Sequence, residues 1–404
     1  MNDRKTLSLD EVLANIDGIG QLIRDHAPAG EADRRVDDEV MAALHEAGAM
    51  ATFLPPRYGG PERSVEDFLK ISRQVALYDG GTSWVVTLAS LGHWMSTLFP
   101  ESAQDAVRNA NPDAVISAVV APSSKAVPVE GGYRLTGKWF YNSSSWYTDA
   151  AVLGAPLMNE QGERECLALV LVPRDQYKIE DTWFTVGMRA SASNCIVLED
   201  GFVPDDHVIR IPDVLTGKSP GLEVEGAQTV TATSLQALFC LGLIGPILGL
   251  GAAALEHVKA KMPQRPVSYT LYPSQADSVA HQVELARAAT LIDTAHLHAY
   301  RGAETIESAA REGRLLTRVE IGQVRADTGW AADCTVEAIG KLIDVHGAGT
   351  FAESNPLQRM WRDANVAARH AAITSSSGWE IYGKAMLGST VPVSIFERAG
   401  KVVD

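Results

Sequence analysis

The spacing of apolar positions predicts helices at the start of the chain. Three apolar residues (Val40, Leu44, Ala47) recur at helical intervals behind a cap at Asp37 or Asp38. Ser64 precedes a second such series, Val65, Phe68, Leu69, Ser72 and Val75. A third helix is predicted over Thr82–Glu101, which is apolar along most of its length.

The apolar period changes to two beyond Asp113. Asp113–Pro122 is a β-rich run, and a turn at Glu130–Gly132 joins two alternating segments that predict a hairpin. Further short strands are predicted up to Pro204. About six short strands with no helix between them predict an antiparallel sheet or barrel.

Helical spacing returns after the polar stretch Asp205–Glu225. Four long helices are predicted, which together form a four-helix bundle: Thr229–Lys261, Ser274–Glu312, Leu316–Val345 and Pro356–Tyr382. The fold class is mainly α with a central β domain. The predicted domains are an N-terminal helical domain (1–112), a β domain (113–212) and the C-terminal bundle (225–404).

One bundle segment, Ala237–Leu255, is apolar and long enough to span a bilayer. Its glycines, Pro246 and the lack of flanking Lys or Arg favour a buried bundle helix instead. The formal net charge of −15 argues against nucleic acid and against an anionic membrane surface. Four scattered cysteines without a CxxC pair predict reduced thiols and no metal centre, so we expect a cytoplasmic protein.

Two histidines lie on apolar helical stretches. His370 stands among small residues of the last predicted helix, which leave room for a pocket beside its ring. His93 lies next to Trp94 on the predicted helix Thr82–Glu101. Because the ordinary pKa of imidazole is near 6.5, either ring suits proton donation or acceptance. The alternative for each is a structural histidine.

The order of elements and four segments resemble the acyl-CoA dehydrogenase superfamily over nearly the whole chain. The four segments are Leu44–Ser64 (with its YGG turn), Gly131–Ala155, Thr185–Ile209 and His346–Val366, which ends near an Arg-Asp pair. We interpret that pair, Arg362 and Asp363, as an ion pair at the start of the last helix.

One departure separates the chain from the dehydrogenases of that superfamily. They carry a Glu-Gly-Thr triplet about nine residues after the arginine of the Arg-Asp pair, and its Glu removes a proton from the substrate. Counted from Arg362, that place is Ala371, which cannot accept a proton, and His370 stands one residue before it. The chain is more similar to the oxygenase components of two-component flavin-dependent monooxygenases, of the 4-hydroxyphenylacetate 3-hydroxylase and dibenzothiophene monooxygenase types.

That resemblance implies an enzyme that takes reduced FMN or FAD from a separate NAD(P)H:flavin reductase. With O2, through a C4a-(hydro)peroxyflavin, it hydroxylates an aromatic or heteroaromatic substrate or oxidises its heteroatom. A homotetramer is expected. Two alternatives stay open: an acyl-CoA dehydrogenase whose base is Glu307, Glu312 or Glu320, and a non-catalytic binding protein of the same fold.

The same resemblance suggests a set of site residues. The expected catalytic residues are His370, His93 and Ser143. The expected flavin-binding residues are Trp139, Asn142, Ser143, Trp183, Arg189, Ser193, Gly347 and Gly349. The expected substrate-binding residues are Trp94, Met95, Phe239 and Trp379. The alternatives are core packing for the aromatic residues, a turn for the serines and a surface ion pair for Arg189.

Overall fold

The structure is a computed structural model that describes residues 6–121 and 124–398. The outer ends of the first and last predicted domains, residues 1–5 and 399–404, lie outside it, as does Pro122 of the first predicted strand. Six helices come first: α1 Leu9–Gly18, α2 Gly20–Asp33, α3 Asp38–Glu46, α4 Val65–Ala76, α5 Gly80–Ser96 and α6 Glu101–Ala110.

Side-chain caps fix where these helices begin. The Asp37 carboxylate accepts from the Glu39 amide at the start of α3, and Ser64 forms a capping box with Asp67 at the start of α4, as predicted. Helix α5 begins earlier than predicted because Asp79 accepts from the Thr82 amide. It also ends at Ser96 rather than Glu101, because Pro100 caps the separate helix α6.

Eight strands form one sheet in the order β6-β7-β3-β2-β4-β5-β8, with β1 beside β4. The strands are β1 Ile116–Val119, β2 Ser124–Val129, β3 Gly132–Asn142, β4 Ala150–Met158, β5 Arg164–Pro173, β6 Lys178–Glu180, β7 Asn194–Pro204 and β8 Val208–Arg210. The predicted hairpin is β2–β3. Most pairs are antiparallel, as predicted, but β1 and β2 both lie parallel to β4, because no hairpin connects either of them to it.

Within residues 211–398 the structure describes seven α-helices: α7 Ile211–Leu215, α8 Leu235–Gly242, α9 Ile244–Lys261, α10 Val279–Arg311, α11 Arg318–His346, α12 Pro356–Ala367 and α13 Ser375–Met386. Two of the predicted bundle helices are interrupted. The first starts at Leu235 and is divided at Leu243. The last is broken between α12 and α13, and His370 lies in that break.

The apolar stretch Leu235–Gln264 is long enough by composition to cross a membrane, but 78% of its most apolar window is buried inside the protein. This burial agrees with the predicted bundle helix. Helix α9 packs against α4, and a Cβ at Gly249 would overlap Ala76 and the carbonyl of Arg73. The glycines of this stretch therefore let two helices lie unusually close together.

Helix α13 is held equally close to α11. A Cβ at Gly329 of α11 would collide with Ser375, and one at Gly378 of α13 would collide with the backbone of Arg325. This close packing fixes the segment that follows His370 against the bundle.

Candidate active site

Two polar loops meet at one end of the sheet. Ser144, in the left-handed conformation, follows β3, and its amide donates to the Ser191 carbonyl in the loop before β7. A row of buried hydroxyls crosses this junction: Ser143 Oγ lies 2.8 Å from Ser193 Oγ, which lies 2.7 Å from Ser191 Oγ. The predicted residues Ser143 and Ser193 are therefore in direct contact.

Helix α5 supplies a donor to this row. The Trp84 indole Nε1–H donates to Ser143 Oγ at 3.0 Å. The Ser143 hydroxyl keeps its own proton and a second lone pair, so either serine can be the donor between Ser143 and Ser193. The indole therefore fixes the position of Ser143 Oγ at one end of the row.

The Trp84 ring also contacts His370, with centroids 6.0 Å apart. Phe239 of α8 lies on the histidine as well, with its centroid 6.3 Å away. The imidazole is therefore flanked by two aromatic rings. Phe239 was predicted to bind substrate, and the structure places its ring against His370. The contact of Trp84 with His370 was not predicted.

The break between α12 and α13 sets the protonation of His370. Its Nδ1 accepts from the Ala372 amide at 3.2 Å, so the ring proton is on Nε2. Burial, and secondarily the positive charge of Arg325, lower the pKa of His370 to about 4. The ring is therefore neutral near pH 7. Nε2–H has no partner among the described residues and is left as a donor.

Helix α12 holds the loop before β7 in place. The Met188 amide donates to Asp363 Oδ1 at 2.5 Å, and Arg362 pairs with Glu31 and reaches the Val186 carbonyl. The interpretation of Arg362 and Asp363 as an ion pair at a helix start is wrong, because both lie well inside α12 and each has another partner. Burial, together with the nearby carboxylate of Asp79, raises the pKa of Asp363 to about 7.

Asn142 and Trp183 lie beside this junction. Asn142 is fully buried at the end of β3, and neither polar atom of its amide has a hydrogen-bond partner within the described chain. The Trp183 indole donates to the Met188 carbonyl at 2.8 Å and meets Tyr141 edge-on. An amide without partners and a half-buried indole are what a planar, polar-edged ligand such as a flavin ring would use, so these residues fit that cofactor.

Two residues that were predicted to bind flavin make structural contacts within the protein instead. Trp139 is completely buried inside the sheet, and its indole donates to the Gly154 carbonyl at 2.9 Å. Trp139 is a core residue, because its side chain lies on the inward face of β3 and not at the loops. Arg189 donates to the carbonyls of Glu31 and Thr185, so it ties the loop to α2 rather than presenting a free guanidinium fork to a phosphate.

His93 does not join His370. It follows Trp84 by nine residues on α5, which places the two side chains on roughly opposite helix faces and about 13 Å apart along the axis. Its Nε2 lies 3.0 Å from the Ala114 carbonyl, which also accepts from Arg108. His93 was predicted to be catalytic, and its buried position and backbone contact favour the alternative of a structural histidine.

The remaining predicted residues are dispersed. Gly347 and Gly349 follow the end of α11, near Arg265, where the His346 carbonyl accepts from that arginine at 2.8 Å. Trp379 is half exposed and packs on Trp330 at the outer surface, because its face of α13 points away from His370. Trp379 is therefore not a wall of the site.

Trp94 and Met95 are fully buried on α5. The Trp94 indole donates to the Val230 carbonyl at 2.9 Å, which fixes the segment before α8. The residues that follow Val230, from Thr231 to Gln236 in the first turn of α8, form part of the wall of a cavity of about 700 Å³. Trp94 thus supports the cavity wall from behind.

The three carboxylates expected as bases in the dehydrogenase alternative each make a structural contact. Glu307 accepts from the amides of Val65 and Glu66 at the start of α4. Glu312 and Glu320 both pair with Arg314. Each of the three is occupied by a structural contact, so none of them supports the dehydrogenase alternative.

The fold and the site together define a flavoprotein-like arrangement of the acyl-CoA dehydrogenase type. Residues 241–375 match the family described as acyl-CoA dehydrogenase, C-terminal domain. The chain is 30% identical over 385 residues to the oxygenase component of the FADH(2)-dependent resorcinol hydroxylase of Rhizobium sp. (strain MTP-10005), covering 93% of this chain and 94% of the relative. It is 31% identical to the flavin-dependent monooxygenase oxygenase subunit HsaA of Rhodococcus jostii (strain RHA1), covering 93% and 98%.

A solved structure gives the same result. XiaF from Streptomyces sp., in complex with FADH2 and glycerol, superimposes with a TM-score of 0.89 at 34% identity, covering 96% of this chain and 98% of that one. The chain belongs to the oxygenase components of two-component flavin-dependent monooxygenases, within the acyl-CoA dehydrogenase superfamily. The resemblance seen in the sequence is confirmed.

Proposed function

We propose that this oxygenase binds reduced flavin between the hydroxyl row and His370, and oxidises an aromatic substrate there with O2. The observation that carries the proposal is the Nε2–H of His370, which has no partner among the described residues and lies between Trp84 and Phe239. Trp84 connects this ring to Ser143, whose neighbour Asn142 has an amide without a hydrogen-bond partner in the described chain. The names of the relatives support reduced FAD over FMN, because the resorcinol hydroxylase is FADH(2)-dependent and XiaF is in complex with FADH2.

The protein's own residues have separable tasks in this reaction. Bound reduced flavin supplies the two electrons that let one oxygen atom enter the substrate while the other leaves as water. Ser143, held in place by Trp84, accepts a hydrogen bond from an N–H at one edge of the ring. His370 donates from Nε2 and stays neutral because its pKa is lowered. The two aromatic rings cover part of the imidazole, which is half-buried.

The oxygen balance of the reaction tests the proposal. Protein with anaerobically reduced FAD, or in parallel reduced FMN, is mixed with 18O2 and either resorcinol or 4-hydroxyphenylacetate as a probe. We expect a product that carries one 18O atom, with little hydrogen peroxide. Peroxide as the sole product with every probe, together with equal affinity for reduced and oxidised flavin, would contradict the proposal. Bleaching of bound oxidised FAD by an acyl-CoA would favour the dehydrogenase alternative.

The proposal includes a separate NAD(P)H:flavin reductase, a homotetramer and a cytoplasmic location. The exposed Trp330–Trp379 pair, with exposed Met386 at the end of α13 and Leu387 directly after it, supports a contact between subunits. Four buried free thiols support a reducing compartment. Light scattering of the purified protein tests the tetramer, since a monomeric mass would remove that part of the proposal.

A further inference from the structure

The cavity of about 700 Å³ lies between the start of α8, α11, α13 and the segment that follows α13. Its wall is largely apolar, with Leu98, Leu235 and Ile321 among its side chains. The charged residues on the described wall are Arg318 and Arg325, and no Asp or Glu lies on it.

Arg325 has no acidic partner in the described part of the chain. Its Nη1 lies 3.0 Å from Cys240 Sγ, its Nη2 lies 3.3 Å from Ser377 Oγ, and its buried Nε has no partner. Burial raises the pKa of the Cys240 thiol, so this thiol is neutral and does not offset the charge. A guanidinium held away from water usually has a carboxylate opposite it.

Arg325 is also the point where the cavity reaches the His370 site. Ser377, its partner, donates to the Thr374 carbonyl at 2.9 Å, and the Thr374 hydroxyl reaches the His370 carbonyl at 3.3 Å. Cys240, its other partner, directly follows Phe239, which packs on the His370 ring. An anion bound at Arg325 would therefore lie next to the proposed reaction site.

Arg318 lies seven residues earlier on the same face of α11, about 10 Å along the helix axis. Its Nη1 donates to the Ser389 carbonyl at 2.8 Å, in the segment after α13. The two arginines thus mark two ends of an apolar space, and only Arg325 lies at the end nearest His370.

We propose that this cavity is the substrate cavity, and that Arg325 binds the oxyanion of an aromatic substrate, either a carboxylate or a phenolate. This assignment rests on the proposed function above. The apolar wall accommodates the ring, and the guanidinium supplies the charge-assisted hydrogen bonds that such an oxygen accepts. Arg325 is then a residue that determines specificity.

Binding without flavin tests the assignment separately from the reaction. Two matched pairs are titrated into the wild-type protein by calorimetry at pH 8.5: 2-naphthoate against 2-naphthamide, and 4-nitrophenolate against 4-nitroanisole. We expect at least one anion to bind about tenfold more tightly than its neutral partner, and which pair does so identifies the oxyanion. If neither pair differs by more than about twofold, the proposal is wrong.

Variants test which arginine is responsible for the preference for the anion. Arg325→Gln should abolish the preference for the anion while leaving the affinity for the neutral partner unchanged, and Arg325→Lys should retain part of it. Arg318→Gln, on the same cavity wall, should keep the preference. A preference that survives in Arg325→Gln, or that disappears in Arg318→Gln instead, would overturn the assignment. If Arg325→Gln does not fold, the wild-type pairs and Arg325→Lys still decide.

The two proposals can fail separately. Selective anion binding without any 18O incorporation would contradict the monooxygenase site and leave the cavity as a ligand site. Incorporation of 18O into resorcinol without any anion preference would contradict only the role of Arg325.

Discussion

The surroundings of His370 and of His93 differ in what the ring nitrogens do. His370 lies in a break between two helices, with Nδ1 fixed by a backbone amide and Nε2–H left for a ligand. His93 lies within a continuous, fully buried helix, and its Nε2 contacts a carbonyl shared with Arg108. The two rings also differ in access, because His93 is buried inside its helix whereas His370 is only partly buried at the break.

The largest effect that this comparison predicts is on the reaction itself. We expect His370→Ala to lower 18O incorporation per reduced flavin by about 100-fold or more, since a positioned proton donor contributes roughly 10²–10⁴-fold. His370→Gln should recover part of this loss, because its amide can place an N–H near the position of Nε2. If His370→Ala incorporates as much 18O per reduced flavin as the wild type, His370 is not the proton donor of the reaction.

A smaller effect is predicted for the donor that holds Ser143 in place. Trp84→Phe keeps a ring against His370 but removes the indole N–H, so reduced-flavin affinity should fall about two- to tenfold. Trp94→Phe is the matched control, because it removes a buried indole donor on the same helix that serves Val230 instead. Equilibrium dialysis under argon measures both. Equal losses in the two variants would count against a specific role for Trp84.

For His93 we expect a change in stability and not in turnover. His93→Ala removes a buried ring and its contact with Ala114, which should lower the free energy of unfolding by about 1–3 kcal/mol. Urea denaturation measures that loss, and 18O incorporation per folded protein should stay within about twofold of wild type. A 100-fold loss of turnover in folded His93→Ala would instead place this ring in the reaction.

The smallest predicted effect concerns the His370 ring, whose protonation state should not change near neutral pH. Because the pKa of His370 is lowered to about 4, its ring should stay neutral with the proton on Nε2 from pH 8 down to about pH 5. Nitrogen-15 NMR of the ring, assigned with His370→Gln, reads this directly. A lowered pKa also means that the unfolded chain takes up the proton first, so this group's contribution to stability is lost as the pH falls from about 6.5 to 4. A midpoint near 6.5 in the native protein would contradict the lowered pKa, and a neutral ring with its proton on Nδ1 would contradict the tautomer.

Much of the fold was predictable because its signals are local. The caps at Asp37 and Ser64, the β2–β3 turn and the buried α9 follow from residues close together in the chain. The break at His370 had a local signal too, since Thr374 and the three serines after it are typical of a helix start. The alanines on either side of His370 concealed it by favouring one continuous helix.

The site itself was only partly predictable. His370, Ser143, Ser193 and Phe239 were predicted as site residues from small neighbours, a strand end and family resemblance, and the structure places them around Trp84 and His370. Trp84 and Arg325 were not predicted, since nothing in their local sequence separates them from core and surface residues. Their proposed roles depend on tertiary contacts across 59 residues to Ser143 and 85 residues to Cys240. No spacing along one segment reveals such pairs.

The interruption between α12 and α13 has a consequence for protein engineering. The Ala372 amide can serve His370 only because it is not donating to a carbonyl one turn earlier, as it would in a continuous helix. Substitutions chosen to make residues 368–374 more helical, the usual route to a more heat-resistant bundle, would compete for that amide and release the imidazole from its single tautomer. Thermostability would then be gained here at the expense of turnover, and the segment is best left untouched in any stabilised variant.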